Sequence, residues 1–375
     1  MRSKRTRLII AGIATTFALV AAFAPFTFWR TPDNVARASA PAYAEGPPRL
    51  RAKENSEQPL VVVVVADNAG TETTDFIVPY GMLKESGIAE VRSLSSEPGV
   101  VELMPALRVE ADETIADFDA TEPRGADVVI VPAMHRQDNP VILDFLQRQA
   151  ELGALIVSIC DGAWVVANAG LFDGRKATGH WFSFDDLARK FPHTTWVKDA
   201  RIVSDGQVMS TTGVSASIPV SLTIIEALAD RATAARLAQR FGIDDWNGRH
   251  DSDAFGVSAP MLGTGLSNLA SFWSHEELAV EVSEGFDEIA FALQADAWSR
   301  TYRSTLVAVN GNGEIESARG LRLIAEPVTA AVTTIPLVSR EAEAALDETL
   351  SAIERRYGGG TAEFVAVQLE YQPAS

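Results

Sequence analysis

The sequence predicts an α/β protein built on a doubly wound parallel sheet, and three apolar runs carry that prediction. The runs at 60–66, 126–132 and 154–159 are short and rich in branched residues, which is typical of strands buried on both faces. Stretches with helical spacing at 71–86 and 139–152 follow two of them. Strands that alternate with helices in this order pair in parallel, with right-handed crossovers.

Length, charge and cysteine content narrow the classes of protein. With 375 residues the chain exceeds one typical domain, so we expect two folded units with accessory segments. A net charge of −18 repels phosphate backbones and argues against a nucleic-acid partner. The single cysteine excludes an internal disulfide. The five histidines show no metal-ligand spacing, so neither a metal site nor a cofactor is expected.

The N-terminus has the features of a membrane-targeting segment. A basic flank precedes 22 uncharged residues, 8–29, and about 20 residues span a bilayer. One interpretation is an uncleaved signal anchor in the cell membrane. The other is a signal peptide cleaved near Ala44, which would release the protein to the periplasm or the exterior. Both interpretations place the folded part outside the cytoplasm.

The predicted elements divide the chain into five segments. They are a basic flank with the membrane anchor or signal peptide (1–30), a linker (31–58), a first α/β unit (59–245), a second linker (246–274) and a final α/β unit (275–375). The predicted elements of the final unit, ending in a strand at 362–369, repeat the order of those in the first. We therefore expect either a truncated, degenerate second copy that lacks a cysteine or an unrelated α/β domain.

The most informative stretch surrounds the cysteine. The apolar run 154–159 stops at Cys160, Asp161 and Gly162 permit a tight turn, and 163–169 is predicted to be a helix. This is the layout of a nucleophile elbow, with sulfur in place of a serine oxygen. The amides of the following helix would favour a thiolate. The alternative is a structural cysteine packed as a small hydrophobic residue.

Other candidate residues follow neighbouring predicted strands. Glu72 and Asp75 lie near the first turn of a helix, at the sheet edge where ligands bind in open α/β folds. Helix capping is the alternative for both. His180 follows a turn and a short strand, and a lone histidine is usually structural. The strand from Val208 enters a small-residue turn, 211–213.

The segments 158–162 and 169–181 resemble the PfpI superfamily, and most closely the amidase-like domain of AraC-type regulators. That superfamily has a glutamine-amidotransferase-like, flavodoxin-like fold and includes the Parkinsonism-associated deglycase and isocyanide hydratases. The resemblance covers about 59–245 and implies that Cys160 is reactive. It implies that Asp75, four residues before a helix proline, is the acidic partner of Cys160.

The resemblance also implies roles for three further parts of the pocket. His180 would be a proton shuttle or an orienting group, and Thr211, Thr212 and Gly213 would form the second pocket loop. Where the family usually has Pro-Gly-Gly after the third strand, this chain has Pro-Ala-Met-His at 132–135. The side chains there would crowd the pocket mouth. Backbone amides near Met134 and Asp161 would hold developing negative charge.

Two functions are compatible with these residues. The first is a membrane-tethered, extracytoplasmic, cofactor-free cysteine hydrolase or lyase of an amidase-, hydratase- or glyoxalase-like kind that acts on a small molecule. The second is a non-catalytic module that binds a small molecule or senses oxidants through the same cysteine. The missing helix-turn-helix, the acidic charge and the apolar N-terminus argue against a transcriptional regulator. As assembly we expect a homo-oligomer or an internal pseudo-dimer of the two units.

Overall fold

The computed structural model describes residues 32–38, 58–311, 313–328, 332–338 and 341–372. The predicted membrane segment at 8–29 and the cleavage site near Ala44 lie outside these ranges. Within them, no helix is both long enough and apolar enough to cross a membrane.

Strands and helices alternate along most of the described chain. The strands are β1 Val35–Arg37, β2 Leu60–Ala66, β3 Thr71–Glu72, β4 Ala89–Ser95, β5 Val100–Met104, β6 Arg108–Glu110, β7 Glu113–Thr114, β8 Val128–Val131, β9 Leu155–Ser158, β10 Lys176–Ala177, β11 Thr195–Lys198, β12 Ile202–Asp205, β13 Val208–Thr211, β14 Glu276–Glu281, β15 Ser304–Val309, β16 Glu314–Glu316, β17 Arg322–Ile324 and β18 Thr333–Thr334. The helices are α1 Thr73–Ser86, α2 Ile115–Thr121, α3 Pro140–Glu151, α4 Gly162–Asn168, α5 Phe184–Lys190, α6 Ser217–Leu228, α7 Arg231–Arg240, α8 Ala259–Ala270, α9 Glu288–Ser299, α10 Ala342–Tyr357 and α11 Gly359–Gln368.

The largest sheet has the predicted doubly wound architecture. Its seven strands follow the order β12-β13-β9-β8-β2-β4-β7, and all neighbours are parallel except β12 and β13. The strands β4-β2-β8-β9-β13 reproduce the flavodoxin-like order 2-1-3-4-5. Because the strands are parallel, the loops after β2, β8 and β9 meet at one edge of the sheet. The predicted α/β, flavodoxin-like fold class is therefore confirmed.

The sequence of strand β2 is an unbroken apolar run because both faces of this strand are buried. Val61, Val63 and Val65 belong to one buried cluster, whereas Val62 and Val64 belong to another on the opposite face. Successive side chains of a strand point to opposite faces, so both faces of the sheet are covered. The cluster that holds Val62 extends through helices α1 and α6 into strands β14 and β15 and helix α9.

The C-terminal part of the chain repeats the order of three strands of the first α/β unit. Strand β14 pairs in parallel with β15 and β18, giving the order β15-β14-β18, as β2 pairs with β4 and β8. A helix connects the first two strands in each case, α1 in one and α9 in the other. A hairpin follows these strands in each unit, β5–β6 in the first and β16–β17 in the second. The two hairpins join through the antiparallel pairing of β6 with β17. This is the order that the predicted second copy requires.

Three expectations differ from the structure. The predicted strand at 362–369 is wrong, because Gly359–Gln368 is helix α11. Four of its five buried residues, at 361, 364, 365 and 368, have helical spacing, which a short apolar run concealed. The stretch 246–274, expected to be a linker, contains helix α8. Part of the other expected linker, Val35–Arg37, forms strand β1 beside β11.

Candidate active site

Cys160 occupies a sharp turn between strand β9 and helix α4, as the sequence predicts. Its backbone φ is 55°, in the left-handed region that residues other than glycine rarely adopt. Strained backbone of this kind persists only where the surrounding contacts hold it. Here the Cys160 N–H donates to the Thr212 carbonyl oxygen at 3.0 Å. This bond ties the turn to the end of strand β13 at the carboxyl edge of the sheet.

Gly162, the first residue of α4, lets the turn lie against the end of strand β8. A Cβ atom at this position would lie 2.1 Å from the carbonyl oxygen of Val131 and 3.0 Å from the carbonyl carbon of Pro132. Both neighbours are backbone atoms, which cannot rotate away. Only a residue without a side chain allows this approach. The contact brings Cys160 next to the turn that follows β8.

Asp75 is the buried carboxylate of the site. It lies in the first turn of α1 and is fully shielded from solvent. One carboxylate oxygen accepts from the Ala133 N–H at 3.2 Å, and the other accepts from the Ser217 hydroxyl at 3.4 Å. Burial raises the pKa of Asp75 well above its ordinary value, and the neighbouring Glu72 carboxylate raises it further. Asp75 can therefore carry a proton at a pH where an exposed aspartate cannot.

The Cys160 thiol is also shielded, with 5% of the residue exposed. Burial raises the pKa of Cys160 well above its usual value, and the carboxylate of Asp75 is the next cause. The guanidinium of Arg300 acts in the opposite direction. The expectation that helix α4 favours a resting thiolate is not met, because this thiol is out of water and among carboxylates. Since an ionised Asp75 opposes ionisation of Cys160, the pair retains a proton near neutral pH.

Glu72 caps the helix that carries Asp75. Its Oε2 accepts from the Asp75 N–H at 2.6 Å and from the Thr74 hydroxyl at 2.9 Å. These bonds satisfy donors that the first turn of a helix otherwise leaves unpaired. The sequence analysis left helix capping as an alternative role for both Glu72 and Asp75. The structure assigns it to the Glu72 side chain, and the Asp75 side chain belongs to the cysteine site.

Arg300 is a residue of the site that the sequence analysis missed. It lies at the end of α9, in the C-terminal part of the chain. Its Nη2 is 2.8 Å from Oε1 of Glu72, and its Nε is 2.7 Å from Oδ1 of Asp296. Asp296 is fully buried, and burial raises its pKa well above the ordinary value while Arg300 lowers it. No motif points to Arg300, because only the packing of α9 beside α1 brings it to this site.

His180 contacts the C-terminal segment through its ring. Its Nδ1 accepts from the Phe182 N–H at 3.3 Å, so its Nε2 carries the proton and donates to the Gln368 carbonyl oxygen at 3.1 Å. Backbone groups occupy both ring nitrogens. Of the two roles expected for His180, this arrangement suits an orienting group and not a proton shuttle.

The predicted pocket loop 211–213 lies beside the cysteine, and Glu370 closes it. The Thr211 hydroxyl oxygen accepts from the Cys160 N–H at 3.4 Å. The Gly213 N–H donates to Oε2 of Glu370 at 2.6 Å, and Oε1 of Glu370 lies 2.8 Å from Nε2 of His250. A Cβ atom on Gly213 would lie 2.5 Å from Cβ of Glu370, so a glycine is needed there. The sequence offered no sign that the C-terminal end reaches this loop.

The turn after β8 places one backbone amide against Asp75. The N–H that faces Asp75 belongs to Ala133, whereas the Met134 backbone lies opposite Thr71 in an antiparallel bridge. Met134 is buried. Asp161, the other residue expected to supply an amide, accepts through its side chain from the Ser183 hydroxyl at 3.0 Å. A charge-stabilising role for the Met134 and Asp161 amides stays a prediction.

Metal chemistry can be tested against the side chains that the structure describes. Among those side chains, no group of three or more His, Cys, Asp or Glu residues is placed to hold a metal ion. Two of the acids near the site, Glu72 and Asp296, are paired with Arg300.

A flavodoxin-like sheet with a buried cysteine in a strained strand–helix turn, and a carboxylic acid beside it, defines a class of cysteine-site α/β proteins. Within that class the chain belongs to the DJ-1/PfpI family, whose family model matches residues 60–227. An isonitrile hydratase of Pseudomonas putida is 30% identical over 164 residues, which cover 43% of this chain and 68% of that protein. A deglycase of Pyrococcus horikoshii is 30% identical over 155 residues, 40% of this chain and 86% of that protein.

Other similar proteins have other functions. A helix-turn-helix transcriptional regulator of Rhizobium meliloti is 29% identical over 185 residues, 48% of this chain and 54% of the regulator. Among solved structures, a mutant of a DJ-1 superfamily protein from Salmonella typhimurium has a TM-score of 0.45 and 25% identity. The aligned region covers 50% of this chain and 100% of the Salmonella chain.

Proposed function

We propose that the protein is a cysteine-dependent, cofactor-free hydratase or hydrolase that acts on a small molecule with an electrophilic carbon. The observation that carries the proposal is that Cys160 is held in a strained turn within the electrostatic reach of the buried carboxyl group of Asp75, which raises the pKa of the thiol. The similarity to an isonitrile hydratase and a deglycase supports the same class of reaction. With only 5% of Cys160 exposed, a slender, uncharged substrate suits the site best.

The raised pKa values of the two groups suit a proton transfer between them. Asp75 with a raised pKa is a stronger base than an exposed aspartate, so it can take the Cys160 proton as the sulfur attacks. The same carboxyl group, once protonated, can return that proton to the substrate. Arg300 lowers the pKa of Cys160 and so favours the thiolate during attack. The amides of the turn would hold negative charge that develops on a carbonyl substrate.

For an isonitrile the steps balance without any further reactant than water. The Cys160 sulfur bonds to the terminal carbon, and the thiol proton passes through Asp75 to that carbon, which gives a thioimidate. Water adds to the thioimidate carbon, with one proton going to nitrogen. The carbon–sulfur bond then breaks, the hydroxyl proton returns to the thiol, and an N-substituted formamide leaves. For a carbonyl substrate, the first step is addition of the same sulfur to the carbonyl carbon.

We also propose that the enzyme works outside the cytoplasm, held by the apolar segment 8–29 or released by cleavage near Ala44. The support is the sequence pattern alone, a basic flank before 22 uncharged residues. Fractionation of cells that express the full chain tests this proposal. Recovery in the cytoplasmic fraction would overturn it.

Turnover of cyclohexyl isonitrile and of methylglyoxal tests the catalytic proposal. We expect product formation by the wild type and its loss in Cys160→Ser. We expect Asp75→Asn to lower kcat by about 10²–10⁴-fold, the usual contribution of a positioned general acid or base. Asp144→Asn, an exposed aspartate on α3, is the matched control and should leave kcat unchanged.

Two other outcomes would change the assignment. Turnover that persists in Cys160→Ser would remove the cysteine from the mechanism. Binding without turnover, together with peroxide-dependent oxidation of Cys160 to a sulfenic or sulfinic acid detected by mass spectrometry, would favour the sensing module instead.

A further inference from the structure

A cavity of about 640 Å³ lies next to the cysteine site but is separate from it. Neither Cys160 nor Asp75 lines it. The wall between the cavity and the site includes Ser217, which lines the cavity and donates its hydroxyl to Asp75. The volume is within the range of about 300–1,000 Å³ that is common for small-molecule sites.

Charged residues line part of the cavity, and one of them is an arginine for which no partner is found among the described residues. Arg201, just before strand β12, lines the cavity and is only partly exposed. Burial lowers the pKa of its guanidinium. Across the described ranges, no side-chain hydrogen bond or ion pair of Arg201 is found. A guanidinium that is largely removed from water without an acceptor is costly, so this group is suited to an anionic ligand.

The acids around Arg201 are each engaged elsewhere. Asp199 pairs with Arg37 at 2.7 Å, and Asp245 lies 3.4 Å from Arg249. Glu370 accepts from the Gly213 N–H and contacts His250. Asp251, which also lines the cavity, accepts from the Asp253 N–H at 3.1 Å.

Arg201 is therefore a cation of the cavity wall that has no acidic side chain in contact among the residues that the structure describes. Glu370 and Asp245 act on the guanidinium from a distance, and they oppose the lowering of its pKa by burial.

Part of the cavity wall is apolar. That part includes Val214, Ile218, Leu293 and Leu346. An anionic group on Arg201 would therefore have hydrocarbon surface within reach of the remainder of the ligand. Burial of such a tail removes apolar surface from water, which favours binding.

We propose that this cavity binds a small carboxylate with an apolar tail, with the carboxylate paired to Arg201 and the tail against Leu293 and Leu346. The site is independent of the reaction at Cys160, because the cysteine does not line it. Arginine suits a carboxylate in particular, since its planar fork matches the two oxygens.

Calorimetric titration of the full chain with hexanoate, hexanamide and acetate tests the proposal without any variant. Hexanoate should bind at least 10-fold more tightly than hexanamide, which has the same shape without the charge. It should also bind more tightly than acetate, which lacks the tail. Absence of hexanoate binding, or equal binding of the acid and the amide, would overturn the proposal.

Variants then locate the site. Arg201→Met should weaken hexanoate binding at least 10-fold, Arg201→Lys should weaken it less, and Arg236→Met, an exposed arginine on α7, should leave it unchanged. Cys160→Ser should bind hexanoate as the wild type does, so failure of catalysis and failure of this site are distinguishable. Unchanged binding in a folded Arg201→Met protein would contradict the assignment.

Discussion

Arg300 donates a hydrogen bond from Nη2 to Oε1 of Glu72 at 2.8 Å, and this bond joins the end of helix α9 to the beginning of helix α1. Because Glu72 caps the helix that carries Asp75, the bond connects the C-terminal part of the chain to the cysteine site. The predicted internal pseudo-dimer would place a residue of the second unit in the site of the first.

Replacing Arg300 by methionine should destabilise the protein by about 3–5 kcal/mol, because it leaves Glu72 and Asp296 as buried acids without their partner. It should also raise the pKa of Cys160 further, since Arg300 lowers it. Urea unfolding and the pH dependence of thiol alkylation measure the two effects. Arg236→Met is the control. An Arg300→Met protein as stable as the wild type would show that the pair adds nothing to stability.

The contribution of Asp75 to the stability of the protein should decrease as pH rises above the ordinary pKa of an aspartate, about 3.9. Asp75 has a raised pKa when folded, so the folded state keeps a proton that the unfolded state has already lost. Each such group decreases stability by up to about 1.4 kcal/mol per pH unit until its folded pKa is passed. Asp296 contributes in the same direction.

Asp75→Asn should therefore flatten the curve of unfolding free energy against pH in that window, while Asp144→Asn should keep it. Denaturant unfolding at intervals from pH 4 upward measures the slope. An Asp75→Asn curve as steep as that of the wild type would mean that Asp75 titrates normally.

Gly162→Ala should cost about 2 kcal/mol or more, because the added methyl group would meet the Val131 carbonyl oxygen at 2.1 Å. The same change should slow alkylation or turnover at Cys160 by displacing the turn. Gly263→Ala, in helix α8 with no atom within 4 Å of the new methyl group, is the control. It should stabilise by about 0.5–1 kcal/mol. Thermal unfolding of both variants tests whether close packing at the Cys160 turn contributes to the stability of the protein.

Glu370→Ala should destabilise by about 2–3 kcal/mol, because the buried N–H of Gly213 would lose its acceptor. Glu370→Gln keeps an oxygen for that N–H and should cost less. Glu363→Ala, exposed on α11, should change stability by less than about 0.5 kcal/mol. Equal costs for the alanine and glutamine variants would show that the charge near His250, and not the hydrogen bond, is what holds this segment.

Local pattern was enough to predict much of the first unit. The strands around Val62 and Ile156 are apolar on both faces, and only a parallel sheet covered by helices buries both faces at once. The turn at Cys160 could be recognised because a strand signal, a small-residue turn and a helix signal stand next to each other in the chain. The helix at 359–368 was mistaken for a strand because a short apolar run fits both periods.

The sequence by itself determined the class of fold and the elbow at Cys160, and its resemblance to the PfpI superfamily led to Asp75 as the candidate acid. Tertiary structure alone decided the partners of these residues: Arg300 beside Glu72, Glu370 on Gly213 and the C-terminal backbone on His180. These contacts join residues up to 228 positions apart. The tertiary structure also decided that the resting Cys160 thiol keeps its proton, because its pKa depends on burial and on nearby carboxylates. Neither burial nor a neighbour so distant in sequence has a local signature in the order of residues.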